Sequence, residues 1–287
     1  YMRGFREETF NKVSGAGWQL AGYDQFGMKR PMLAGDTGAF GCGASGCYDG
    51  VDTGAWIATM ETDMGSWEVY QLFVPWISMS RILEPYSVGC GKYRSGVSVG
   101  RMDLLHRCKE GIGSGALGCA HDRIMPNLGL FGGYPGGKRN TFHLRYHDFK
   151  DMIARRIPFL HEIGDPREFM NYPHGKITRY NLMPPTIEVK DKDVFIADNA
   201  GPGGLGDPIE RDTALQKADL DAGLTNLDIS RRVYCIEASY DAKAREWKID
   251  EAATRNLREA RKKERLSRGV PVMQWWQQAR QNVANKQ

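Results

Sequence analysis

The chain has 287 residues and a formal net charge of +4, and 41% of its residues are hydrophobic and 26% charged. This length is enough to bury a sizeable core in one large domain or two, and so modest a charge does not indicate nucleic-acid binding. No apolar run approaches the ~20 residues of a membrane-spanning helix and no signal-peptide pattern is present, so we expect no membrane association. The six dispersed cysteines are typical of reduced thiols in a cytoplasmic protein rather than of a disulfide framework.

Residues 1–200 predict a β-rich body. Runs of β-branched and aromatic residues predict strands at 67–74, 96–105, 141–146 and 194–197. Glycine is concentrated between residues 35 and 137, as in an irregular structure with many tight turns. The segment 152–163 is short and contains Pro158, which does not favour a helix.

Residues 201–287 change character and predict helices. Leu215, Ala218 and Ala222 form a helical stripe that Gly223 ends, and Thr225 is placed to cap a short second helix. Further segments predict a hairpin (233–239 with 245–249), a long helix from Asp250 to about Ser267 and, after Val270-Pro271, a last amphipathic segment. We therefore predict an α+β fold, with a β-rich body and glycine-rich turns in 1–200 and a helical tail in 201–287.

The long helix and the segment after it carry two features that bear on partners. Its run of Arg and Lys is typical of a solvated helix face, and the alternative is a docking surface for an acidic partner. Trp275 and Trp276 are less easily left in water, which favours a contact with another subunit.

The segment 201–212 is a glycine-dense turn that leads directly into a helix. Its candidate anion-binding residues are Gly201, Gly203, Gly204 and Gly206. Asp207 stands at the N-cap, with Pro208 at the first helical position, so free N–H groups and the helix dipole suit an anion. The alternative is that the turn only lets a strand and a helix pack closely. It is neither a Walker loop nor a dinucleotide fingerprint, because no Gly-Lys-Ser/Thr follows and no G-x-G-x-x-G opens a βαβ unit.

Acidic residues cluster around the glycine-rich part of the body. They are Asp36, Asp49, Asp52, Glu61, Asp63 and Glu68. Such carboxylates act as general bases in some sites, and in others they brace turns by accepting backbone N–H bonds.

Cysteine and histidine give no metal site that we assign to this chain. Cys42 with Cys47, and Cys119 with His121, lack the paired C-x₂-C spacing of a structural zinc site. His143 and His147 are spaced for one face of a strand, where a surface or interface pair is the commoner arrangement.

Five segments resemble, in order, the motifs of the hydantoinase B superfamily. That superfamily includes the α subunits of acetone carboxylases and the B subunits of ATP-dependent hydantoinases and oxoprolinases. The segments are 38–52 ("GAxDGxD"), 61–75 ("ExxE…P"), 89–96 ("GGxGxxRGG"), 129–135 ("GLFGGxPG") and 203–212 ("GG-x-GDP-x-ERD"). Segments 247–254 and 269–276 are most similar to acetone carboxylase α subunits. Within the motifs, Cys90 and Ser95 replace glycines, so the local geometry must differ if those glycines need a positive φ.

The resemblance implies a component of an ATP-dependent ketone carboxylase that converts a ketone and bicarbonate to a β-keto acid. It implies that ATP is bound by a kinase-like, hydantoinase-A-type partner subunit. It also implies that Mn²⁺ or another divalent metal is held by the N-terminal half of the family subunit, which has no counterpart here, or by a partner. A small third subunit is a further expected partner. Asp49 and Glu68 fall on the family motifs and are the candidate catalytic residues.

Three alternatives stay open. The family also includes acetophenone-type carboxylases and ATP-dependent hydantoinases and oxoprolinases that open a cyclic amide. A non-catalytic scaffold subunit is the third, in which the 201–207 turn and the Trp pair only hold a complex together. The tail 269–276 and the loop 42–47 favour the carboxylase.

Overall fold

A computed structural model of the chain describes residues 17–33, 40–54, 66–84, 87–108, 112–117, 127–137, 140–160, 169–180, 187–198 and 201–284. These residues form the α+β architecture that the sequence predicts, with antiparallel sheets and a C-terminal helix. The strands are β1 (Gly17–Tyr23), β2 (Lys29–Leu33), β3 (Trp76–Glu84), β4 (Ser98–Leu105), β5 (Ile112–Leu117), β6 (Asn140–Tyr146), β7 (Gly175–Tyr180), β8 (Ile187–Val189), β9 (Asp193–Asp198), β10 (Glu237–Asp241) and β11 (Glu246–Asp250). The helices are α1 (Trp67–Phe73), α2 (Phe149–Ala154), α3 (Thr213–Asp221), α4 (Leu227–Arg232), α5 (Glu251–Arg268) and α6 (Val272–Ala284), and a 3-10 helix spans Pro208–Glu210.

A five-stranded antiparallel sheet in the order β3-β4-β9-β6-β7 carries the main core. In its register Met102 lies opposite Ile196, and Ile196 lies opposite Phe142, so the three form one row across the sheet. Because alternate residues of a strand share a face, this row and its neighbours make one apolar face, onto which Met152 of α2 and Phe169 pack. Strands β4, β6 and β9 confirm three of the predicted strand segments.

The opposite face of the same sheet buries charged and polar groups. Arg101 and Asp103 of β4, Thr141 and His143 of β6 and Asp193 of β9 are all buried. Strand β4 is buried at every position, and Arg101 and Asp103 form an ion pair. This sheet therefore separates an apolar core from a buried polar layer.

Two further sheets complete the described part of the chain. One is four-stranded in the order β2-β1-β5-β8, and the other is the hairpin β10–β11. The hairpin confirms the prediction but begins later than expected, and its register pairs Tyr240 with Trp247, whose ring centroids lie 5.4 Å apart.

The predicted strand 67–74 is wrong, because the segment forms helix α1. A run of eight apolar and polar residues is too short for its periodicity to distinguish a strand from a helix. A distant residue stabilises the helix, since Nε2 of Gln25 donates to the carbonyl oxygens of Gln71 (3.3 Å) and Leu72 (2.9 Å) near its C-terminal end.

Helix α2 lies partly in the segment where no helix was favoured. It begins at Phe149, earlier than the segment considered, and its N-cap Asp148 accepts a hydrogen bond from the Asp151 N–H. The helix ends before Pro158, so the proline does not interrupt it.

Helix α3 confirms the helix that the stripe of Leu215, Ala218 and Ala222 predicts, but other residues form its buried face. Leu215 is 38% exposed and Ala218 is exposed, whereas Gln216, Asp219 and Leu220 are buried. The buried face is thus chosen by polar partners rather than by apolar periodicity.

The ends of the C-terminal helices mostly follow their caps. Gly223 has φ +70° just after α3, as the sequence predicts. Helix α4 is capped by the Asn226 side chain, which accepts from the Ile229 N–H, and not by Thr225. Helix α5 begins after its N-cap Asp250, and α6 follows Pro271. In the described part of the chain, none of these helices combines the length and the apolar character that crossing a membrane requires.

Candidate functional site

Three glycine-rich turns, 87–96, 127–137 and 201–206, pack backbone against backbone, and we call them together the glycine platform. Leu205 lies at its centre and bridges to both other turns, through Tyr93 and Leu130. Leu205 and Tyr93 exchange two N–H···O bonds of 3.0 Å. Segments more than a hundred residues apart are therefore joined by main-chain hydrogen bonds.

The platform needs glycine because its backbones approach too closely for side chains. A Cβ atom at Gly201 would lie 1.6 Å from the carbonyl oxygen of Ser87, and one at Gly204 would lie 2.4 Å from that of Cys90. Contacts this short involve backbone atoms that no side-chain rotation relieves.

The glycines predicted to hold an anion lie inside this platform. The N–H groups of Gly201, Gly204 and Gly206 donate to carbonyl oxygens of the 127–137 turn, at 3.3, 3.0 and 2.9 Å. Gly203 is buried beside Gly89. Because three of these donors are already used, the contacts favour the packing role over the anion-holding one, which stays a prediction.

A buried charge network lies against the platform and joins two arginines to three aspartates. Arg211, whose side chain is fully buried, donates from Nη1 and Nη2 to the two oxygens of Asp49, each at 2.8 Å, and from Nη2 to Asp219 at 2.6 Å. Arg94 donates from Nε to Asp219 at 2.9 Å and from Nη1 to Asp52 at 2.7 Å. Asp219 is thus shared by both guanidinium groups.

The network shifts the pKa of its members through two opposed effects. Burial alone would lower the pKa of Arg94 and of Arg211, yet the surrounding carboxylates outweigh it and raise both above the ordinary arginine value. For Asp219 burial dominates and raises the pKa, although both guanidinium groups oppose the rise. Both arginines therefore stay charged and bind the network together.

Helix α5 is fastened to the platform by arginines on one of its faces. Nη2 of Arg258 donates to the carbonyl oxygen of Arg211 at 2.5 Å, and Nη1 of Arg265 donates to Asp207 at 2.5 Å. Part of the basic run therefore faces the protein itself, while its exposed residues form the solvated face that the sequence predicts.

The family model of hydantoinase B/oxoprolinase matches residues 6–208 of the chain. The chain belongs to the hydantoinase B/oxoprolinase family.

Two curated relatives show how much of a family protein the chain represents. It is 28% identical over its whole length to the acetone carboxylase alpha subunit of Xanthobacter autotrophicus and spans 37% of that subunit. It is 26% identical to the acetophenone carboxylase delta subunit of Aromatoleum aromaticum, over 66% of this chain and 27% of the relative. The chain thus spans 37% of the length of one relative and 27% of the length of the other.

Two solved structures likewise match most of this chain but less than half of their own. A nucleotide-free structure of acetone carboxylase, from work on ATP-dependent acetone carboxylation, matches 99% of this chain and 38% of its own, with a TM-score of 0.82 and 25% identity. The ATP-dependent caprolactamase of Pseudomonas jessenii matches 88% of this chain and 39% of its own, with a TM-score of 0.57 and 16% identity, and therefore shows a shared fold alone.

The charge network gives a structural role to charged residues of the segments that resemble hydantoinase B motifs. Asp49 and Asp52 come from the first glycine motif, Arg94 from the third and Arg211 from the last, and the fold brings all four together. Analysis of the sequence missed Arg94, Arg211 and Asp219 as partners. The two arginines belong to the motif segments, so the sequence could have pointed to them. Asp219 lies outside the motifs, on α3.

The two candidate catalytic residues lie in different environments. Asp49 accepts bonds from both Nη atoms of Arg211 and from the Arg94 N–H at 2.8 Å, and 19% of its side chain is exposed. Glu68 lies in the first turn of α1, is exposed and takes no part in the network. The structure does not bring them together, and the contacts of Asp49 favour the bracing role.

Cys90 and Ser95, which stand where the third motif has glycines, fit the backbone of the turn. Neither Cys90 nor Ser95 has a positive φ. Ser95 also gains a function there, because its hydroxyl accepts the Gly89 N–H at 2.8 Å within the platform.

An open cleft of about 660 Å³ lies beside the network, between the platform and the starts of α3 and α5. Its lining includes Lys92, Glu210, Glu251 and Arg258. Both charge signs are present, and Lys92 pairs with Glu210 at 3.8 Å. Such a wall suits a polar substrate or a polar partner segment rather than an apolar ligand.

A second polar cluster lies on the polar face of the five-stranded sheet. His143 Nε2 contacts Asp193 Oδ2 at 2.9 Å, and the same oxygen accepts from Arg145 at 2.8 Å and from the Lys190 N–H at 2.9 Å. Burial alone would raise the pKa of Asp193, but these hydrogen bonds outweigh it and lower the pKa to about 2. His147 lies beyond the end of β6 and is exposed, so the two histidines do not form the expected pair.

In the part of the chain that the structure describes, no three or more His, Cys, Asp or Glu residues cluster so that they could hold a metal ion. The three carboxylates of the network do not fit a metal site, since guanidinium groups occupy them. Cys42 is buried and Cys47 is exposed, while Cys119 and His121 lie outside the described residues.

Proposed function

We propose that the chain is a component of an ATP-dependent ketone carboxylase of the acetone carboxylase type. The observation that carries this proposal is the match to acetone carboxylase, which extends over the whole chain in sequence and over 99% of it in structure. Both curated relatives are subunits of carboxylases, which favours carbon–carbon bond formation over cyclic-amide opening.

In the proposed complex, a kinase-like hydantoinase-A-type subunit binds ATP, and the N-terminal half of the family subunit or a partner holds Mn²⁺ or another divalent metal. When bound, ATP would activate the ketone and bicarbonate. The product is a β-keto acid. A small third subunit is part of the proposal, as is a location in the cytoplasm, where the free cysteines of the described residues stay reduced.

This chain contributes a rigid wall in the proposal. The glycine platform and the charge network fix one side of the 660 Å³ cleft, because their contacts are made by backbone and by buried bidentate ion pairs. The wall excludes water from one side of the cleft and orients the polar substrate there. Asp49 supports Arg211 in this arrangement, and Glu68 stays a candidate catalytic residue.

The test is native mass spectrometry and metal analysis of the intact complex, followed by an assay of ATP-dependent fixation of labelled bicarbonate into a small ketone. Fixation that needs ATP, the ketone and this chain would support the proposal. Assays of the same complex with a hydantoin and a lactam are the control. Ring opening without bicarbonate fixation would replace the proposal with the cyclic-amide alternative, and a complex without either activity would favour the scaffold.

A further inference from the structure

Helix α6 exposes an apolar stripe at the C-terminal end of the described chain. Val272, Trp276 and Val283 recur at helical spacing and are 73%, 50% and 63% exposed. Met273 and Trp275 beside them are also at least half exposed. We call α6, together with Leu266 and Val270 before it, the apolar arm.

Among the residues that the structure describes, the arm lacks the packing that normally stabilises a helix of its length. Helix α6 has 13 residues and no buried residue. Isolated helices shorter than about 12–15 residues are marginal in water, and most helices in proteins are stabilised by packing of their apolar face. A surface outside the described chain is therefore needed to stabilise α6.

The arm extends from a fixed base. Helix α5 is fastened to the platform through Arg258 and Arg265, so the arm begins at a defined place on the protein. Its two adjacent tryptophans, with ring centroids 6.1 Å apart, belong to the residue type most enriched in interface hot spots.

The charged residues near the arm indicate the charge of a surface that would bind it. Lys262, Lys263, Arg268 and Arg280 are exposed, and Glu264 is the only acidic residue between positions 260 and 284. A second copy of the chain would bring the same positive charge to the contact, and like charges oppose association. An acidic rim is complementary.

We propose that the apolar arm binds in an apolar groove edged by Asp and Glu on a companion polypeptide, in the helix-in-groove mode. The proposal rests on the proposed function for the existence of a companion in the complex. Relatives are consistent with this, because the chain spans only 37% of the acetone carboxylase alpha subunit, and the rest of such a subunit offers further surface.

The test places the photo-crosslinker benzoylphenylalanine at position 276 and, as a control, at position 26, whose Phe side chain is 72% exposed on another part of the protein. Each full chain is expressed with its complex, irradiated and analysed by peptide mass spectrometry. The expected result is a crosslink from position 276, and not from position 26, to an apolar segment of a different polypeptide that carries neighbouring carboxylates. A crosslink to a second copy or to this chain's own body, or a yield at 276 no higher than at 26, would overturn the proposal.

A charge reversal tests the acidic rim separately. Lys262→Glu together with Lys263→Glu should lower the crosslink yield at position 276 about fivefold in low salt, because attraction becomes repulsion. Lys243→Glu, in the exposed turn between β10 and β11, should leave the yield unchanged. Equal crosslink yields in the unreversed protein, the Lys262→Glu/Lys263→Glu variant and the Lys243→Glu variant would contradict the proposal of an acidic rim. Circular dichroism checks that each variant is folded.

These readouts do not depend on catalysis. If position 276 crosslinks to a companion in a complex that fixes no bicarbonate, the docking proposal stands and the proposed carboxylase function fails. If the complex fixes bicarbonate but position 276 makes no such crosslink, the proposed function stands and the docking proposal fails.

Discussion

At the scale of residues, Arg211 is the member of the charge network whose loss should be most destabilising. Its side chain is fully buried and holds Asp49 and Asp219 with three charged hydrogen bonds. Buried ion pairs offset their own desolvation only when each charge keeps its partner, so removing one partner leaves charge uncompensated in the interior.

Arg211→Met should therefore reduce the free energy of unfolding by about 3–5 kcal/mol, because buried Asp219 and partly buried Asp49 are left with one guanidinium between them. Urea denaturation followed by circular dichroism measures the change. Arg231→Met is the matched control, since Arg231 pairs with Glu237 in an exposed position and should matter little. Similar losses in the two variants would contradict the role of the buried network.

Asp193 predicts a pH dependence of stability. Its pKa of about 2 in the folded protein lies below the ordinary 3.8, so the stabilisation is complete above about pH 4 and is lost as the pH falls towards 2. Solvent screens Arg145, which is 52% exposed, so we expect a loss of about 1–2 kcal/mol over this range. The measurement is the unfolding free energy of the native protein and of Asp193→Asn at pH 5 and pH 2.5.

Asn at position 193 should lower stability at pH 5 and flatten the dependence below pH 4. Asp241→Asn is the control, because the pKa of Asp241 is also lowered to about 2 but its partners lie at the surface, where screening is stronger. An equal dependence on pH in the native protein and in Asp193→Asn would contradict the assignment.

At the scale of elements, the glycine platform is held by close backbone contact. Its three turns come from distant parts of the chain, and Leu205 joins them by main-chain bonds. Side chains are excluded where the carbonyl of one turn lies against the Cα of another.

Gly201→Ala should therefore destabilise the protein by at least about 3 kcal/mol, because a backbone oxygen stands 1.6 Å from the new Cβ atom. Gly269→Ala is the matched control, since its nearest neighbour lies 3.3 Å away and its φ of −73° suits alanine. Thermal unfolding compares the two. A Gly201→Ala protein as stable as Gly269→Ala would show that the platform can separate.

At the scale of the whole molecule, the body and the C-terminal part share the platform. The sequence pattern predicts a boundary near residue 200 between the β-rich body and the helical tail, and that boundary stays a prediction. The turn 201–206 lies between turns 87–96 and 127–137, so the body depends on residues that follow the boundary.

A fragment of residues 1–200 should fail to show cooperative urea unfolding, because it lacks Leu205 and Arg211. A fragment ending at residue 268 is the control and should unfold cooperatively, since helix α6 has no buried residue. Cooperative unfolding of the shorter fragment would instead support two separate domains.

Local patterns predicted the elements whose signals lie within a few residues. Asp250 caps α5, Gly223 ends α3, and β4, β6 and β9 follow from β-branched and aromatic runs. Segment 67–74 was mispredicted because a distant side chain, Gln25, stabilises the helical alternative.

The sequence by itself determined the family, the α+β class and the glycine turns, because these depend on backbone sterics and on motifs read in order. Only the tertiary structure decided what the motifs do together. Asp49 and Arg211 are 162 residues apart, and no periodicity or spacing pairs them. Their contact exists because the glycine turns let three backbones meet, and the low dielectric of that junction makes charge pairing necessary.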